Sequence, residues 1–304
     1  MPNEDALEKI IHNCHVHTFT IDHVPRGLIP KSLGWLMGRR FLQTVLIRAI
    51  RHLARLLHRP LWDRYANFLA TTAGKDQRAV FDLLQARYKR GTRFVVLPMD
   101  LEQMGHGPAA QGLDRQHAEL LRLRADFPDA VFPFYAVDPR RPGVADGLKR
   151  AFDAGGFFGI KLYPNLGYAP DHRGLAKVWE FADDRRLPVM THCSRGGMHG
   201  YDADAKAWLD EASSERYGAP RLYEPILKRH PNLRLCLAHL GGQVEWNRFL
   251  QNPWYVGGQP QVKRSWLSDI LDMLKEYPNL YTDISYTVFY FQEFVPALKR
   301  LAAN

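Results

Sequence analysis

The sequence predicts an α/β protein in which a parallel β-sheet is covered by helices. Short apolar runs alternate with longer amphipathic stretches along the 304 residues of the chain, and this alternation is typical of parallel strands joined by helices. A proline stands between a helical stretch and the next apolar run at Pro128, Pro231 and Pro278, where a helix is expected to end. By its length, the chain has room for one large barrel or for two smaller domains.

Seven apolar runs are predicted to be strands, and five amphipathic stretches between them are predicted to be helices. The strand candidates are residues 10–19, 93–99, 130–137, 157–163, 187–192, 233–239 and 279–284. The helix candidates are residues 117–125, 147–154, 174–184, 222–230 and 265–276. Neither an internal repeat nor a dividing linker is recognisable, so we expect residues 1–304 to form a single domain.

A basic segment follows the first predicted strand, and we interpret residues 20–92 as a helical insertion within the domain. Between Arg26 and Trp62 the sequence holds eight arginines and lysines and no acid, which accounts for most of the net charge of +9. The spacing of its cations and apolar residues predicts a basic amphipathic helix. The residues with this spacing are Leu42, Val45, Leu46, Arg48, Ala49, Arg51, Leu53, Arg55, Leu56, Leu57 and Arg59.

Three interpretations of this basic helix remain open. The helix would pack over the body of the protein with one face in solvent, or form an entrance that attracts an anionic substrate, or dock on a membrane surface or a partner. No recognised nucleic-acid motif is present, so nucleic acid is not expected as a partner. A homo-oligomer is compatible with the sequence.

The composition is that of an ordinary soluble globular protein, with 46% hydrophobic and 24% charged residues. The N-terminal residues lack the apolar segment of a signal peptide, and no apolar run is long enough to span a membrane. Cys14, Cys193 and Cys236 follow no spacing pattern, and each lies in an apolar segment. We therefore expect reduced core cysteines in a cytoplasmic protein.

Polar side chains close most of the predicted strands, and two of them form a pair. His15 and His17 end the first strand, so their imidazoles are expected on the same side of it. Two neutral imidazoles on one side form half of a metal site. The C-terminal ends of parallel strands form the active site in α/β barrels, so we expect a functional site there. The other polar residues at strand ends are Asp100, Asp138, Lys161, His192, His239 and Asp283.

These residues resemble the amidohydrolase superfamily, and within it the amidohydrolase-related branch that includes carboxymuconate-semialdehyde decarboxylase-like proteins. The resemblance rests on five short motifs in the order and spacing of the family. They are His15-Val16-His17, Gly159-Ile160-Lys161-Leu162-Tyr163-Pro164, Thr191-His192-Cys193, Ala238-His239-Leu240-Gly241-Gly242 and Tyr281-Thr282-Asp283. The resemblance implies a metal-dependent (β/α)8 TIM barrel with its site at the C-terminal ends of the strands.

The resemblance also implies roles for the histidines. His15, His17 and His192 are expected to bind one divalent metal, with zinc as the expected ion. Neutral nitrogen ligands leave zinc strongly Lewis-acidic, so that its water loses a proton near neutral pH. His239 is expected to act as a general base or to polarise the substrate, because the pKa of an imidazole lies near the working pH.

Lys161 has two interpretations, which differ in the number of metals. In two-metal relatives a lysine at this place is carboxylated and bridges the ions, and the histidines that correspond to His192 and His239 hold the second ion. In a single-metal site, Lys161 would instead pair with a substrate carboxylate or with a neighbouring acid.

The sequence departs from the family at its C-terminal end. Relatives carry a last metal ligand, an aspartate on an eighth strand, and no such motif follows Asp283. Three explanations are open: the chain is truncated, Asp283 has taken over the ligand role in a shorter barrel, or the barrel is open or inactive. Unpaired strand edges are a liability in folded proteins, which favours truncation. Asp283 is counted with His239 among the catalytic candidates.

Three functions are compatible with these features. The leading one is a metal-dependent hydrolase, in which metal-activated water attacks an amide, lactone or related C–N or C–O bond of a small, carboxylate-bearing substrate. The second is a zinc-dependent non-oxidative decarboxylase of an unsaturated or aromatic acid. The third is a catalytically silent barrel with a docking helix. As substrate-binding residues we predict Arg195, which would clamp a carboxylate, and Tyr163, which would contact an aromatic or unsaturated substrate.

Overall fold

A computed structural model gives the structure of this chain in two compact units. It describes residues 10–28, 45, 47–50, 52, 53, 56, 66, 67, 69–202, 205–251, 265–285, 295 and 299. Unit 1 comprises Met1–Glu102 and His106–Phe134, and unit 2 comprises Gln103–Gly105 and Tyr135–Asn304. The single domain over residues 1–304 stays a prediction.

The structure confirms the predicted α/β class. All seven predicted strands are present in the part of the chain that the structure describes, and the predicted helices lie between them. The strands are β1 (His12–Val16), β2 (Arg93–Val96), β3 (Val131–Ala136), β4 (Gly159–Leu162), β5 (Pro188–Ser194), β8 (Arg234–Gly241) and β9 (Leu280–Thr282). This is the strand–helix order of a (β/α)8 TIM barrel with one strand fewer among the described residues.

Unit 1 contains three parallel strands in the order β1-β2-β3, with β3 passing into unit 2 after Phe134. Its helices are α1 (Gln77–Gln85) and α2 (Leu113–Asp126). The Asp76 carboxylate caps α1 by accepting a hydrogen bond from the backbone of Ala79. The core of unit 1 is a cluster of buried side chains from these elements, namely Val16, Phe81, Phe94, Val96, Leu120, Leu123 and Val131.

The connection between β1 and β2 contains the predicted insertion at residues 20–92. Two 3-10 turns, Ile21–His23 and Arg26–Leu28, come first. Five residues of the predicted basic helix are described, and all five are helical and exposed: Val45, Arg48, Ala49, Leu53 and Leu56. The other six lie outside the described residues, so the amphipathic character of the helix stays a prediction.

Unit 2 contains the parallel strand order β4-β5-β8-β9. The end of β3 precedes β4, since the amide of Val137 donates to the carbonyl of Lys161. A short antiparallel hairpin, β6 (Tyr201–Asp202) and β7 (Ala207–Trp208), lies in the connection from β5 to β8. The helices are α3 (Val144–Ala154), α4 (Ala176–Asp184), α5 (Ser214–Gly218), α6 (Glu224–Arg229), α7 (Gln243–Gln251) and α8 (Trp266–Glu276).

The strand register in unit 2 places its candidate residues at one end. His192 of β5 is paired with Ala238 of β8, and Leu237 of β8 is paired with Thr282 of β9. His239 and Asp283 each follow their paired position by one residue, so both lie level with the end of β5. β4 and β5 are buried on both faces, as parallel strands covered by helices require, whereas Tyr281 of β9 is exposed.

The three cysteines form no disulfide bond, but only one matches the prediction of a core cysteine in full. Cys193 is buried, Cys236 is partly buried and Cys14 is exposed. Cys14 lies on β1, where alternate residues face solvent, so the prediction of a core position is wrong for this residue. Among the described residues, no helix has the length and apolar content needed to cross a membrane.

Candidate active site

His15 near the end of β1 and His17, the residue after β1 ends, present their Nε2 atoms to each other, 3.2 Å apart. The register between β1 and β2 shifts between Asn13 and Val16. This shift places a bulge at Cys14 and His15. The expectation that both imidazoles lie on one side of the chain is nevertheless correct. The Nδ1 atom of His17 lies 2.8 Å from the carbonyl of Leu97. Because a carbonyl only accepts, Nδ1 carries the proton, and Nε2 of His17 presents its lone pair.

His192 lies at the end of β5, with both of its ring nitrogens engaged. Its Nε2–H donates to the carbonyl of Gly196 at 2.9 Å, which leaves a lone pair on Nδ1. The ring of Tyr163 stacks on the imidazole at 4.2 Å between centroids, with an interplanar angle of 12°. The chain after β5 therefore turns back to the edge of the histidine ring, and the backbone carbonyl of Gly196 in this turn determines which nitrogen is protonated.

His239 lies in a bulge at the end of β8. His192 and Ser194 of β5 are paired with Ala238 and Gly241 of β8, so β8 contains one extra residue at this point. Bulges near active sites redirect a side chain. The bulge gives His239 a φ of +72° and Leu240 a φ of +46°, in the left-handed region that L-residues other than glycine seldom adopt. This backbone conformation lowers the stability of the fold, and strained residues of this kind are often found at functional sites.

The Nδ1–H of His239 points to Ser285, whose carbonyl lies at 3.1 Å and whose hydroxyl lies at 3.0 Å. The carbonyl acts only as an acceptor, so Nε2 of His239 is the unprotonated nitrogen of the neutral ring. This Nε2 lies 3.1 Å from Nδ1 of His192. Unit 2 therefore presents two imidazole nitrogens to each other, as unit 1 does with His15 and His17.

Lys161 is buried in β4, and its Nζ has no hydrogen-bond partner among the described residues. Burial lowers the pKa of Lys161 from 10.5 to about 8, while nearby Asp283 and Cys236 act in the opposite direction. A desolvated lysine with this pKa is mainly protonated at neutral pH but loses its proton readily. It is a suitable partner for an anion and, in its neutral form, a nucleophile.

Asp283 accepts three hydrogen bonds on Oδ1. The donors are the backbone amide of His239 at 2.9 Å, the amide of Ser285 at 3.0 Å and the Ser285 hydroxyl. These contacts hold the turn that follows β9 against the bulge of β8. Asp283 therefore fixes both the backbone of His239 and the serine that accepts from its ring.

Arg195 does not extend into the site as the sequence suggested. Its guanidinium is almost fully buried and forms ion pairs with Glu245, which is fully buried, and with Glu215. It also lies over the ring of Trp266 at 4.4 Å. The contacts of Arg195 therefore support a structural role in joining the loop after β5 to α7 and α8, and they do not support the predicted carboxylate clamp.

Asp138 at the end of β3 is also engaged within the protein. Arg140 donates to Oδ1 through Nε at 2.9 Å and to Oδ2 through Nη2 at 2.6 Å. A bidentate pair of this kind fixes the carboxylate firmly. Asp138 thus stabilises the loop that follows β3. In this loop Arg140 also donates a hydrogen bond to the carbonyl of Leu166.

The sequence did not predict the hydrogen-bond partners that determine which ring nitrogen of each histidine is protonated. Two of these are backbone carbonyls, of Leu97 and Gly196, and a carbonyl is present at every position. Ser285 was also missed. A signal existed only for the turn after β5, where Gly196 and Gly197 are consecutive and predict a change of chain direction.

The family that this site indicates is confirmed by comparison of sequences. The family described as amidohydrolase matches residues 13–304, which is nearly the whole chain. The protein belongs to the amidohydrolase family, a family of enzymes, as the histidine and lysine motifs suggested. No match was found among curated protein sequences.

Several solved structures are similar to the chain at low sequence identity. A TIM-barrel protein from Bordetella bronchiseptica has 15% identity, with a TM-score of 0.48 over 95% of this chain and 81% of that one. The 4-oxalomesaconate hydratase from Rhodopseudomonas palustris has 16% identity, with a TM-score of 0.44 over 90% and 74%. The 5-carboxyvanillate decarboxylase from Novosphingobium aromaticivorans, determined with bound manganese, has 12% identity, with a TM-score of 0.49 over 90% and 79%.

Proposed function

We propose that the protein is a metal-dependent hydrolase that acts on an amide, lactone or related bond of a small anionic substrate. In this proposal His15, His17 and His192 bind one divalent cation, with zinc as the first choice. The observation that supports it most directly is the state of the histidine pairs: ring nitrogens face each other, and carbonyls hold the protons of three of the rings on the far side.

The donor set fits a divalent cation. Two nitrogens bound to one tetrahedral zinc at about 2.0–2.1 Å are roughly 3.3 Å apart. The Nε2 atoms of His15 and His17 lie 3.2 Å apart, so one ion can contact both without a change of rotamer. A metal-binding histidine commonly donates its other N–H to a carbonyl or carboxylate, as His17 does to Leu97.

When bound, the cation would supply Lewis acidity, which activates water and polarises a carbonyl group. His239 acts as the general base in this proposal, because its unprotonated Nε2 faces the end of β5 and an imidazole exchanges protons near neutral pH. Asp283 holds the main chain of His239 and, through Ser285, keeps the proton of the ring on Nδ1. Asp283 is thereby a positioning residue for the base.

Lys161 supplies a positive charge inside unit 2. At neutral pH it is mainly protonated, since its pKa is about 8, and a buried cation of this kind suits a substrate carboxylate. The two-metal alternative gives it another role, in which its neutral amine is carboxylated and the nitrogens of His192 and His239 hold a second ion. Their separation of 3.1 Å is compatible with that alternative.

The second candidate function is non-oxidative decarboxylation of an unsaturated or aromatic acid with the same residues. The buried, cationic Lys161 favours it as much as hydrolysis, because both substrates carry a carboxylate. In this reaction a proton must reach the carbon that loses CO2, and His239 is the residue that we propose to deliver it. Membrane contact through the basic helix, a homo-oligomeric state and a cytoplasmic location stay predictions.

The test measures metal and products on the same preparation. Elemental analysis of the purified protein should find about one zinc per chain for the single-metal site and about two for the bridged site. The zinc-loaded protein is then incubated with panels of amides, lactones and unsaturated or aromatic acids. A ring-opened or cleaved product supports hydrolysis, and release of CO2 supports decarboxylation. A protein that retains no metal and forms neither product contradicts both, and supports the silent barrel.

A further inference from the structure

The imidazole of His192 is enclosed by a tyrosine and by the turn that follows β5. The ring of Tyr163 lies parallel to it at 4.2 Å. Residues 196–198 pass along the edge that carries Nε2, where the carbonyl of Gly196 accepts the hydrogen bond. Since both groups contact the ring, its orientation depends on their positions.

Tyr163 also holds the turn in place. Its Oη accepts a hydrogen bond from the backbone amide of Met198 at 3.0 Å, and Ser194 Oγ accepts one from the amide of Gly196 at 3.2 Å. One tyrosine therefore contacts both the face of the imidazole and the segment that supplies its carbonyl partner. Tyr163 is itself buried, with 8% of its surface exposed, so it has little freedom to move away.

Glycine at position 197 makes this close approach possible. Gly197 has a φ of +110°, and a Cβ at this position would lie 2.5 Å from Tyr163 Oη and 3.0 Å from His192 Cε1. Any side chain would therefore separate the tyrosine, the turn and the imidazole. Tyr163, Gly197 and His192 form one packed unit.

We propose that Tyr163 is a positioning residue that keeps His192 in the Nε2–H tautomer, so that Nδ1 is the nitrogen that binds the cation. The part of this inference that concerns the cation rests on the proposed function. The part that concerns the tautomer does not, because the carbonyl of Gly196 and the hydroxyl of Tyr163 act on the metal-free protein. This role replaces the substrate contact that the sequence suggested for Tyr163.

The tautomer is measured directly by long-range 1H–15N correlation spectra of metal-free protein with 15N-labelled histidine. In the wild type, His192 should show a protonated Nε2 and an unprotonated Nδ1. The variant Tyr163→Phe keeps the stacked ring but removes the acceptor for Met198, so the Gly196 carbonyl is released and both tautomers should be populated. Zinc affinity, measured by competition with a chelator, should fall about 10-fold, as is typical when the partner of a ligand histidine is lost.

Tyr223→Phe is the matched control. It also removes a buried hydroxyl, which lies 2.6 Å from Thr191 Oγ1, next to His192 on β5, but it leaves the turn intact. We expect a single tautomer and unchanged zinc affinity in this variant. A wild type with Nδ1–H, or a Tyr163→Phe variant with the pure Nε2–H form, would overturn the inference. A tautomer that responds as expected in a protein that binds no zinc would refute the proposed function alone.

Discussion

Nδ1 of His192 and Nε2 of His239 lie 3.1 Å apart, and in the neutral rings neither carries a proton. Two lone pairs at this distance repel each other unless a proton or a cation lies between them. The carbonyls of Gly196 and Ser285 hold the ring protons on the opposite sides, so rotation of either ring would leave a carbonyl without its donor. The arrangement is therefore one in which positive charge stabilises the folded site.

The first prediction concerns the metal content of a His192 variant. His192→Ala removes one of the three proposed ligands, and the bound zinc should fall from about one ion per chain to less than about a tenth after dialysis. Elemental analysis measures this. His172→Ala is the control, because His172 lies in a loop, where it accepts from the amide of Gly174; it should retain its zinc. Stoichiometric zinc in His192→Ala would refute the ligand assignment.

The second prediction concerns the glycine pair after His239. Gly242 has a φ of +80°, and a Cβ there would lie well inside van der Waals contact of Ser194 Oγ. Gly242→Ala should therefore lower the free energy of unfolding by about 3 kcal/mol, the sum of backbone strain and overpacking. Denaturant unfolding measures this loss.

Gly143 provides the matched control for that substitution. It also has a positive φ, +66°, but its Cβ position has no neighbour within 4 Å. Gly143→Ala should lose only the cost of the backbone conformation, about 1 kcal/mol. Equal losses in the two variants would mean that the contact with Ser194 has no energetic weight.

The third prediction is the pH dependence of stability that Lys161 causes. Its pKa is about 8 in the folded chain and 10.5 in the unfolded chain, so between these values the unfolded state binds more protons. Stability therefore rises with pH across this window, by up to about 3 kcal/mol from this group. In Lys161→Met this rise in stability should be absent. The free energy of unfolding of the variant should exceed that of the wild type by the largest amount below pH 8.

Denaturant unfolding at pH 7 and at pH 10 distinguishes this effect from a general one. Lys149→Met serves as the control, since it removes a lysine from the exposed side of α3. The difference between wild type and Lys161→Met should shrink by about 2 kcal/mol between the two pH values. If it stays constant, the buried amine is not the group that titrates.

The fourth prediction concerns the ion pair of Arg195. Arg195→Met leaves the buried carboxylate of Glu245 with one arginine, Arg248, instead of two, and should destabilise the fold by about 3 kcal/mol. Arg185→Met breaks an exposed pair with Asp153 and should cost less than about 1 kcal/mol. Free energies of unfolding compare the two variants. A small loss of stability in Arg195→Met would contradict the structural role and support the substrate contact that the sequence predicted for this arginine.

Most of the fold followed from the sequence because hydrophobic periodicity and proline positions report on it directly. All seven strands overlap their predicted ranges, and helix α8 at Trp266–Glu276 coincides with the predicted 265–276. The hairpin of β6 and β7 was not predicted. Its strands have two residues each, which is too short to produce a periodic pattern.

The composition of the site was predictable, but its internal contacts were not. Histidines at strand ends are visible in the sequence, since they interrupt apolar runs. That Arg195 pairs with Glu245, fifty residues further on, depends on how α7 packs, and a loop arginine carries no sign of this. The bulges in β1 and β8 add one residue to a strand without changing its composition, so no pattern could predict the turn of the chain at His239.

The left-handed backbone conformation of His239 lowers the stability of the fold, while the proposed chemistry requires a histidine at this position. Glycine would adopt a φ of +72° without the roughly 1 kcal/mol that a side chain costs there. A selection for thermal tolerance alone should therefore discard this histidine early, and its persistence in a library selected for turnover would mark the position as one that catalysis maintains at the expense of robustness.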